Sequence, residues 1–585
     1  MGSCYYRRVT RLLVSAYEWH EDHGPLDGLR PADWQALLVA AAIVTTFYVA
    51  ALLAIDSDYF LSFGGDPLKY FLKAARFAAT GRTDARLALN LAPFRYVSLP
   101  GVLLAPVLWA SSDFAVQLRL VQLINAVGFA TCFVLGSSIA AARVAPARRT
   151  VVVAALAACT LVNRIWFWEV SLPNATIPFM LGSFGATLAA WAAMRARGHG
   201  VRAVWWCLFA VGALMSFAIK FTAASLLGYA ALLLAGRALA GRRLDRFGVA
   251  LLLLSAMGMG AMAWNGWDTI QYYASAGQER LAATSPEDWG LYFGAVALPN
   301  TVLPEYRALF AVNPLPQATR FVWMTSTWDV ALVAAGLVVS SVILLGAWRL
   351  RRAMLPEGLL VASVLPFIAP VATSTPRYLL PYAPWVWIFA LAGARPAVNR
   401  LEAWLGWKAR GTLVALSAGV LLAVGWIALR HSKSVRSTPM GAFAGLRANL
   451  RDVTDTYRAA RMTLEALPRD RSELLLAGQN YGWGPVLGLS SYAPDDRLRL
   501  RIQHKEMYLM VVCEPRAGCK SLESAVHREC VALDRYGPFT YVPLTVHRRP
   551  LAALGVYRVL AAGGSECGAL STLQQERQPP AVSIP

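Results

Sequence analysis

The sequence predicts an α-helical polytopic membrane protein of about eleven transmembrane helices, followed by a small C-terminal α/β or α+β domain outside the membrane. Three observations predict it. Of 585 residues, 57% are hydrophobic and only 15% are charged, whereas a soluble domain is about 25% charged. Apolar runs near or above the ~18–20 residues that span a bilayer recur from residue 34 to residue 430. Beyond residue 430 those runs stop, and a helical pattern at about 443–466 is followed by short β-like runs, "ELLLAG", "LRLRIQ", "MYLMVV" and "YVPLTV".

The spans read in order as about 34–55, 115–141, 150–163, 175–194, 203–219, 222–238, 247–264, 327–347, 357–373, 379–394 and 411–430. Basic clusters fall at every second boundary: Arg7, Arg8 and Arg11; Arg143, Arg148 and Arg149; Arg195, Arg197 and Arg202; Arg237, Arg242, Arg243 and Arg246; Arg349, Arg351 and Arg352; Arg395 and Arg400. The alternate boundaries carry single cations, Arg164, Lys220 and Arg377. Cytoplasmic loops collect Lys and Arg, so the N-terminus is expected in the cytoplasm and the C-terminal domain outside. This divides the chain into a cytoplasmic segment 1–33, a transmembrane domain 34–430 with outer loops 56–114 and 265–326, and an extracytoplasmic domain 431–585. Residues 1–33 are polar and show no small-residue cleavage site, so the first span reads as a retained anchor.

The formal charge of +21 would suggest nucleic acid in a soluble protein. Its confinement to short segments between apolar runs excludes that partner. The preference for Arg and Ala over Lys and Ile suits a GC-rich bacterial genome, and hence a bacterial plasma (inner) membrane. The outer domain holds Cys513, Cys519, Cys530 and Cys567, enough for two disulfides in an oxidising compartment, with three possible pairings and free buried thiols as the alternative. Cys4, Cys132, Cys159 and Cys207 read as inert small apolar residues.

The first outer loop breaks the charge rule. It places Lys69, Lys73, Arg76, Arg82, Arg86 and Arg95 on the outer side, where anionic lipid headgroups or a phosphate substrate would meet them. Within it "GGDPLKYFLKAARFAATG" reads as a short helix, with Asp66 as N-cap, Pro67 at the first helical position and Gly81 closing it. Asp66, Lys69, Tyr70 and Lys73 then share one face. A capped interfacial helix with snorkelling lysines needs no chemistry and accounts for the same pattern.

Further pieces follow on the outer side: "FRYVSLPGVLLAPVLW" before a span beginning "LRL", "IWFWEVSLPNAT", "FAIKFTA" and "TPRYLLP". In this order and sidedness the chain resembles the GT-C class of integral membrane glycosyltransferases, near the protein O-mannosyltransferase and aminoarabinose transferase families, over about residues 34–430. The resemblance implies transfer of a sugar from a polyprenyl-phosphate carrier to a lipid, glycan or protein acceptor on the outer face. Relatives carry an acidic pair near "DE"; here Pro67 stands in the second place.

Such a transfer needs a carboxylate to accept the acceptor's proton and cations to hold the departing phosphate. A divalent metal, Mg or Mn, could assist by bridging phosphate and carboxylate. Asp66 is the expected base and the possible metal ligand, and Glu169 in "IWFWEV" is the second carboxylate, with pairing to Arg164 as its ordinary explanation. Lys220 and Arg377, with Tyr378, are expected at the carrier phosphate; each could equally be an interface anchor. Lys69, Tyr70 and Lys73 are further candidates, with Arg95 and Tyr96 after them. Asp56 and Asp58 remain alternative acids. Their "DSD" also matches the metal motif of nucleotide-sugar enzymes, although a span exit is an unusual place for it. A lipid-linked sugar transporter and an inactive membrane scaffold are the competing readings. The first is disfavoured because no internal repeat is evident and the candidate charges lie at one face rather than at mid-bilayer. The second is kept open by Pro67.

Overall fold

The computed structural model describes residues 2–63, 74, 77–78, 99–161, 164–173, 175–265, 267, 271, 298, 327–363, 379–405, 447–475, 489–492, 496–513, 521–549 and 552–561. The chain is mostly helical, with one small sheet, and forms a multi-pass membrane protein. It divides into two compact units: Met1–Leu52, Leu123–Ser171 and Ala175–Phe443 in the first, and Leu53–Gln122, Leu172–Asn174 and Ala444–Pro585 in the second.

Six described helices are long and apolar enough to cross a membrane: Pro31–Leu53, Phe114–Ala142, Thr176–Arg195, His199–Ile219, Phe221–Leu239 and Arg246–Trp264. They coincide with the first, second, fourth, fifth, sixth and seventh expected spans. The first begins with Pro31 at N1, and Asp33 accepts the Arg30 N–H at 2.8 Å, so the chain enters it capped. The last turns Phe247, Leu253, Leu254, Met257 and Trp264 outward, as lipid-facing positions require.

The expected third span, 150–163, is a helix of 13 residues, Arg149–Leu161. At about 1.5 Å per residue that reaches only about 20 Å, short of a bilayer core. A second helix, Arg164–Ser171, follows where a loop was expected; Trp166, Phe167 and Val170 are buried and hold it in the interior. Helices Thr327–Leu350 and Ala383–Leu405 cover the eighth and tenth expected spans, and Leu355–Ser363 covers the start of the ninth. The first pair packs backbone to backbone: an added Cβ at Gly346 would stand 1.7 Å from the Phe389 carbonyl oxygen, and at Gly393 1.8 Å from that of Val342. The eleventh expected span lies outside the described residues.

The N-terminal segment is more ordered than its polar composition suggests. Gly2–Asp22 is a helix, here α1. The basic clusters fasten this segment. Arg143 donates to the Gly24 carbonyl at 2.8 Å and lies over the rings of Trp19 and Trp191. Arg149 bonds Asp33 at 2.7 Å, Arg195 bonds Asp27 at 2.9 Å, and Arg237 donates to the Tyr17 hydroxyl at 3.0 Å. Burial pulls Arg143 down to about 10, with Glu357 and Asp27 opposing the fall. These helix ends therefore lie on one side, together with residues 17–33.

At the same end His20 and Glu357 are both fully buried. His20 Nδ1 faces the Ala16 carbonyl at 2.6 Å, and Nε2 faces Glu357 Oε1 at 2.7 Å, which also accepts from the Tyr229 hydroxyl at 2.9 Å. A ring nitrogen facing a carbonyl must donate, so Nδ1 carries a proton, and a further proton lies between Nε2 and the carboxylate.

In the second unit, residues 447–561 form a five-stranded mixed sheet in the order β2-β1-β3-β5-β4. The strands are β1 Ser472–Leu475, β2 Ser490–Tyr492, β3 Glu506–Cys513, β4 Phe539–Arg549 and β5 Ala552–Ala561. β2, β1 and β3 are parallel; β3, β5 and β4 are antiparallel. One of the expected β-like runs is helical: "LRLRIQ" lies in Leu498–His504. Its apolar residues alternate with period 2, but Leu498 is buried and Ile502, four residues on, packs on the same core. Leu500 is exposed, and Arg501 makes a two-pronged pair with Glu473. Cys513 on β3 and Cys530 on helix Leu522–Asp534 lie in that core, and both are disulfide-bonded. Cys519 and Cys567 lie outside the described residues. Cys132, Cys159 and Cys207 are free thiols.

Candidate active site

Of the expected site residues, Glu169 and Lys220 lie in described parts of the first unit. Asp66, Lys69, Tyr70, Lys73, Arg377 and Tyr378 lie outside the described residues, as do Arg95 and Tyr96.

Glu169 sits in the last turn of the helix Arg164–Ser171 and is 0% exposed. Neither of its carboxylate oxygens has a hydrogen-bond partner among the described residues. The helix C-terminus points partial negative charge toward an ionised side chain there, which adds to the cost. Aromatic residues of the same helix pack into the bundle. Trp166 meets Phe129 at 5.1 Å and Trp387 at 6.3 Å between ring centroids, and Phe167 meets Tyr48 at 5.6 Å. Tyr48 in turn donates to the Thr160 carbonyl at 2.7 Å. Asn125 donates to the Val170 carbonyl at 3.3 Å, tethering the turn beside Glu169. A buried carboxylate without donors costs several kcal/mol, and buried ionisable groups of this kind collect at functional sites.

Lys220 terminates the helix His199–Ile219 in extended backbone, before a 3₁₀ turn at Phe221–Ala224. Its backbone N–H donates to the Ser216 carbonyl at 2.8 Å, and its own carbonyl accepts from Ala223 at 3.1 Å, so the turn is well held. The half-buried ammonium donates to Thr176 Oγ1 at 3.1 Å and lies 5.3 Å from the Phe179 ring centroid. Thr176 is the first residue of the helix Thr176–Arg195, against which the Glu169 helix packs.

The segment after Arg377 enters the bundle as well. Leu380–Tyr382 form a 3₁₀ turn packed on the helix Thr176–Arg195, and the buried Tyr382 hydroxyl pairs with Ser225 Oγ at 3.2 Å. Thus Thr176 and Lys220 meet at the end of their helices opposite the arginines that fasten the N-terminal segment. Ser225 and Tyr382 lie deeper, since Tyr229, one turn beyond Ser225, bonds Glu357 and Trp385 lies 6.2 Å from Trp191. The helices' 20–21 residues place the two ends about 30 Å apart. Thr176, Ser225 and Tyr382 were not singled out by the sequence. The Tyr382 hydroxyl sits in a Pro-turn five residues beyond Arg377, which was the available signal.

The alternative acids are already engaged. Asp58 is 2% exposed and ion-paired with Arg458 and Arg461, and Asp56 pairs with Arg458. Among the described residues no group of three or more His, Cys, Asp or Glu side chains is arranged to hold a metal ion. Asp66, from which the sequence would build such a site, is outside them.

No family model matches the chain, and no curated protein matches it. Among solved structures, it is similar to ArnT from Cupriavidus metallidurans in the apo state, with a TM-score of 0.46, 14% identity, and 88% of this chain and 98% of that chain covered. The same protein bound to undecaprenyl phosphate gives a TM-score of 0.44, 14% identity, and 89% and 97% coverage. The archaeal oligosaccharyltransferase AglB from Archaeoglobus fulgidus, in complex with an inhibitory peptide and a dolichol-phosphate, gives 0.43, 11% identity, and 87% and 73% coverage. Both proteins are glycosyltransferases of the GT-C class. At TM-scores below 0.5 these likenesses carry no assignment of activity; that rests on the residues above.

Proposed function

We propose that this protein is a GT-C-type glycosyltransferase of the bacterial plasma membrane. It moves a sugar from a polyprenyl-phosphate carrier to a lipid, glycan or protein acceptor on the outer face. The observation that carries the reading is Glu169, a fully buried carboxylate with no hydrogen-bond donor among the described residues. The reading adds a cation, Lys220, seated on Thr176 at the end of the helix His199–Ile219.

In the proposed reaction an acceptor O–H or N–H attacks the anomeric carbon. The new bond forms as the bond from that carbon to the phosphate oxygen breaks. The acceptor's proton passes to a carboxylate, Asp66, with Glu169 as the second acid, and the electron pair leaves on polyprenyl phosphate. That leaving group already carries charge, so the larger task is holding it. Lys220 and Arg377 do this, with Lys69, Tyr70, Lys73 and Tyr378 lining the approach. A Mg or Mn ion, if bound at Asp66, would add further charge against the phosphate.

Lys220→Met tests the phosphate role. It is expected to lower kcat/KM for an undecaprenyl-phosphate-linked sugar about 10-fold or more, with a fall in kcat because charge grows on the departing phosphate. An unchanged kcat/KM would return Lys220 to a structural bond with Thr176. The outer-face location is checked by a periplasmic reporter fused after residue 440: activity is expected, and silence would reverse the orientation.

A further inference from the structure

The second unit contains a charge network between segments about 400 residues apart. The first span's exit, Ile55–Asp58, leads into a 3₁₀ turn at Ser57–Phe63. Asp56 Oδ1 accepts the Asp58 N–H at 2.9 Å, and Arg119 donates to the Ile55 carbonyl at 2.6 Å. Against this turn packs the outer domain's helix Arg447–Glu465. Arg461 Nε donates to Asp58 Oδ1 at 2.7 Å and Nη2 to Oδ2 at 3.3 Å; Arg458 Nε reaches the same Oδ2 at 3.3 Å. Arg458 Nη2 also binds Asp56. The two arginines are three residues apart and so project from one helix face.

The helix is anchored in turn to the sheet. Thr463 donates to Thr545 at 3.0 Å, and Thr456 pairs with His547 at 3.1 Å. Burial alone would pull both guanidiniums down; the Asp56 and Asp58 carboxylates, with Glu465 at Arg461, outweigh it and push both up. Exposed ion pairs contribute little. Asp58, however, is almost wholly buried, and a buried carboxylate is held strongly by its partners and disturbed strongly without them. Both its oxygens are occupied by guanidinium, so it is available neither as a general base nor as half of a "DSD" metal motif.

We infer that Arg461 and Arg458 are positioning residues: they clamp the exit of the first span to the outer domain and so set where the first outer loop begins. Asp66 follows Asp58 by eight residues in the chain. The outer domain is thereby a fixed support of residues 55–63, from which that loop departs, rather than only an independent binding module. The consequence for catalysis rests on the function proposed above; the clamp itself does not.

The test uses the full-length protein in detergent and two readouts, hydrogen exchange of the 53–63 backbone and sugar transfer from undecaprenyl-phosphate-linked sugar. Arg461→Ala should raise exchange in that segment roughly tenfold or more, and it should lower kcat by up to about 10²-fold with donor KM little changed. Arg461→Lys should recover part of both. The charge swap Arg461→Asp with Asp58→Arg should recover more than either single variant. Should Arg461→Ala fail to fold, Arg458→Gln gives the milder lesion. Unchanged exchange overturns the clamp, and raised exchange with unchanged kcat overturns its positioning role. A wild-type protein without transferase activity would refute the proposed function, while exchange would still decide the clamp.

Discussion

Glu169→Gln is expected to lose transfer by about 10²–10⁴-fold while leaving the folded protein as stable as before, or more so. The two effects have one origin. The wild-type carboxylate is fully buried without hydrogen bonds among the described residues, at a helix C-terminus that disfavours its charge. Replacing it by a neutral amide removes the larger part of that desolvation penalty. A residue kept for structure behaves in the opposite way, since losing it lowers stability. Activity measured with labelled donor, alongside thermal unfolding of the same preparation, separates the cases. Lost activity with an unchanged or higher Tm supports a catalytic carboxylate. Full activity, or activity lost together with a Tm several degrees lower, assigns Glu169 to the structure.

His20→Ala is expected to be among the most destabilising substitutions in the chain, at about 3–5 kcal/mol. It leaves Glu357 buried with one donor, Tyr229, where it had two. It also releases the helix Gly2–Asp22 from the bundle end, where His20 is packed against Trp191 at 4.8 Å. Replacing both partners together, His20→Leu with Glu357→Met, removes the stranded charge and should recover much of the loss. Thermal unfolding in detergent checks both. A single variant as stable as wild type would mean that the pair is not a determinant of the fold.

These two cases mark where the sequence was informative. Spans were legible because a bilayer imposes one rule, a run of about 20 apolar residues, and the basic clusters marked their ends. Glu169 and Lys220 stood out because charge is rare in such surroundings. Their environments were not legible. Nothing near Lys220 in the chain points to Thr176, 44 residues away. Nothing near Asp58 points to Arg461, 403 residues away. The polar composition of residues 1–33 concealed an N-terminal helix, since its fastenings, Arg143 at Trp19 and Arg237 at Tyr17, lie far along the chain. In the C-terminal domain, "LRLRIQ" satisfies a strand's alternation and a helix's i, i+4 spacing equally well, and packing of Leu498 and Ile502 decided between them. The helix after the expected third span, Arg164–Ser171, was not legible because it is aromatic rather than aliphatic, and its Trp166 and Phe167 pack in the interior.

The charges after the first span also divide by role. Asp56 and Asp58 read from sequence as a polar rim or as spare acids. The guanidiniums of Arg458 and Arg461 give them a structural task, which leaves Asp66 as the loop's candidate base.

The central claim is glycosyl transfer from a polyprenyl-phosphate carrier, and the most direct measurement is release of that carrier. Purified full-length protein is given radiolabelled undecaprenyl-phosphate-linked sugars and an extracted envelope acceptor fraction. Free undecaprenyl phosphate and labelled acceptor are then quantified for wild type and for Asp66→Asn. The account predicts that wild type produces both products in equal amounts and that Asp66→Asn produces neither, though it folds normally. Wild-type protein that yields no more of either product than Asp66→Asn, or an Asp66→Asn variant with full activity, would contradict it.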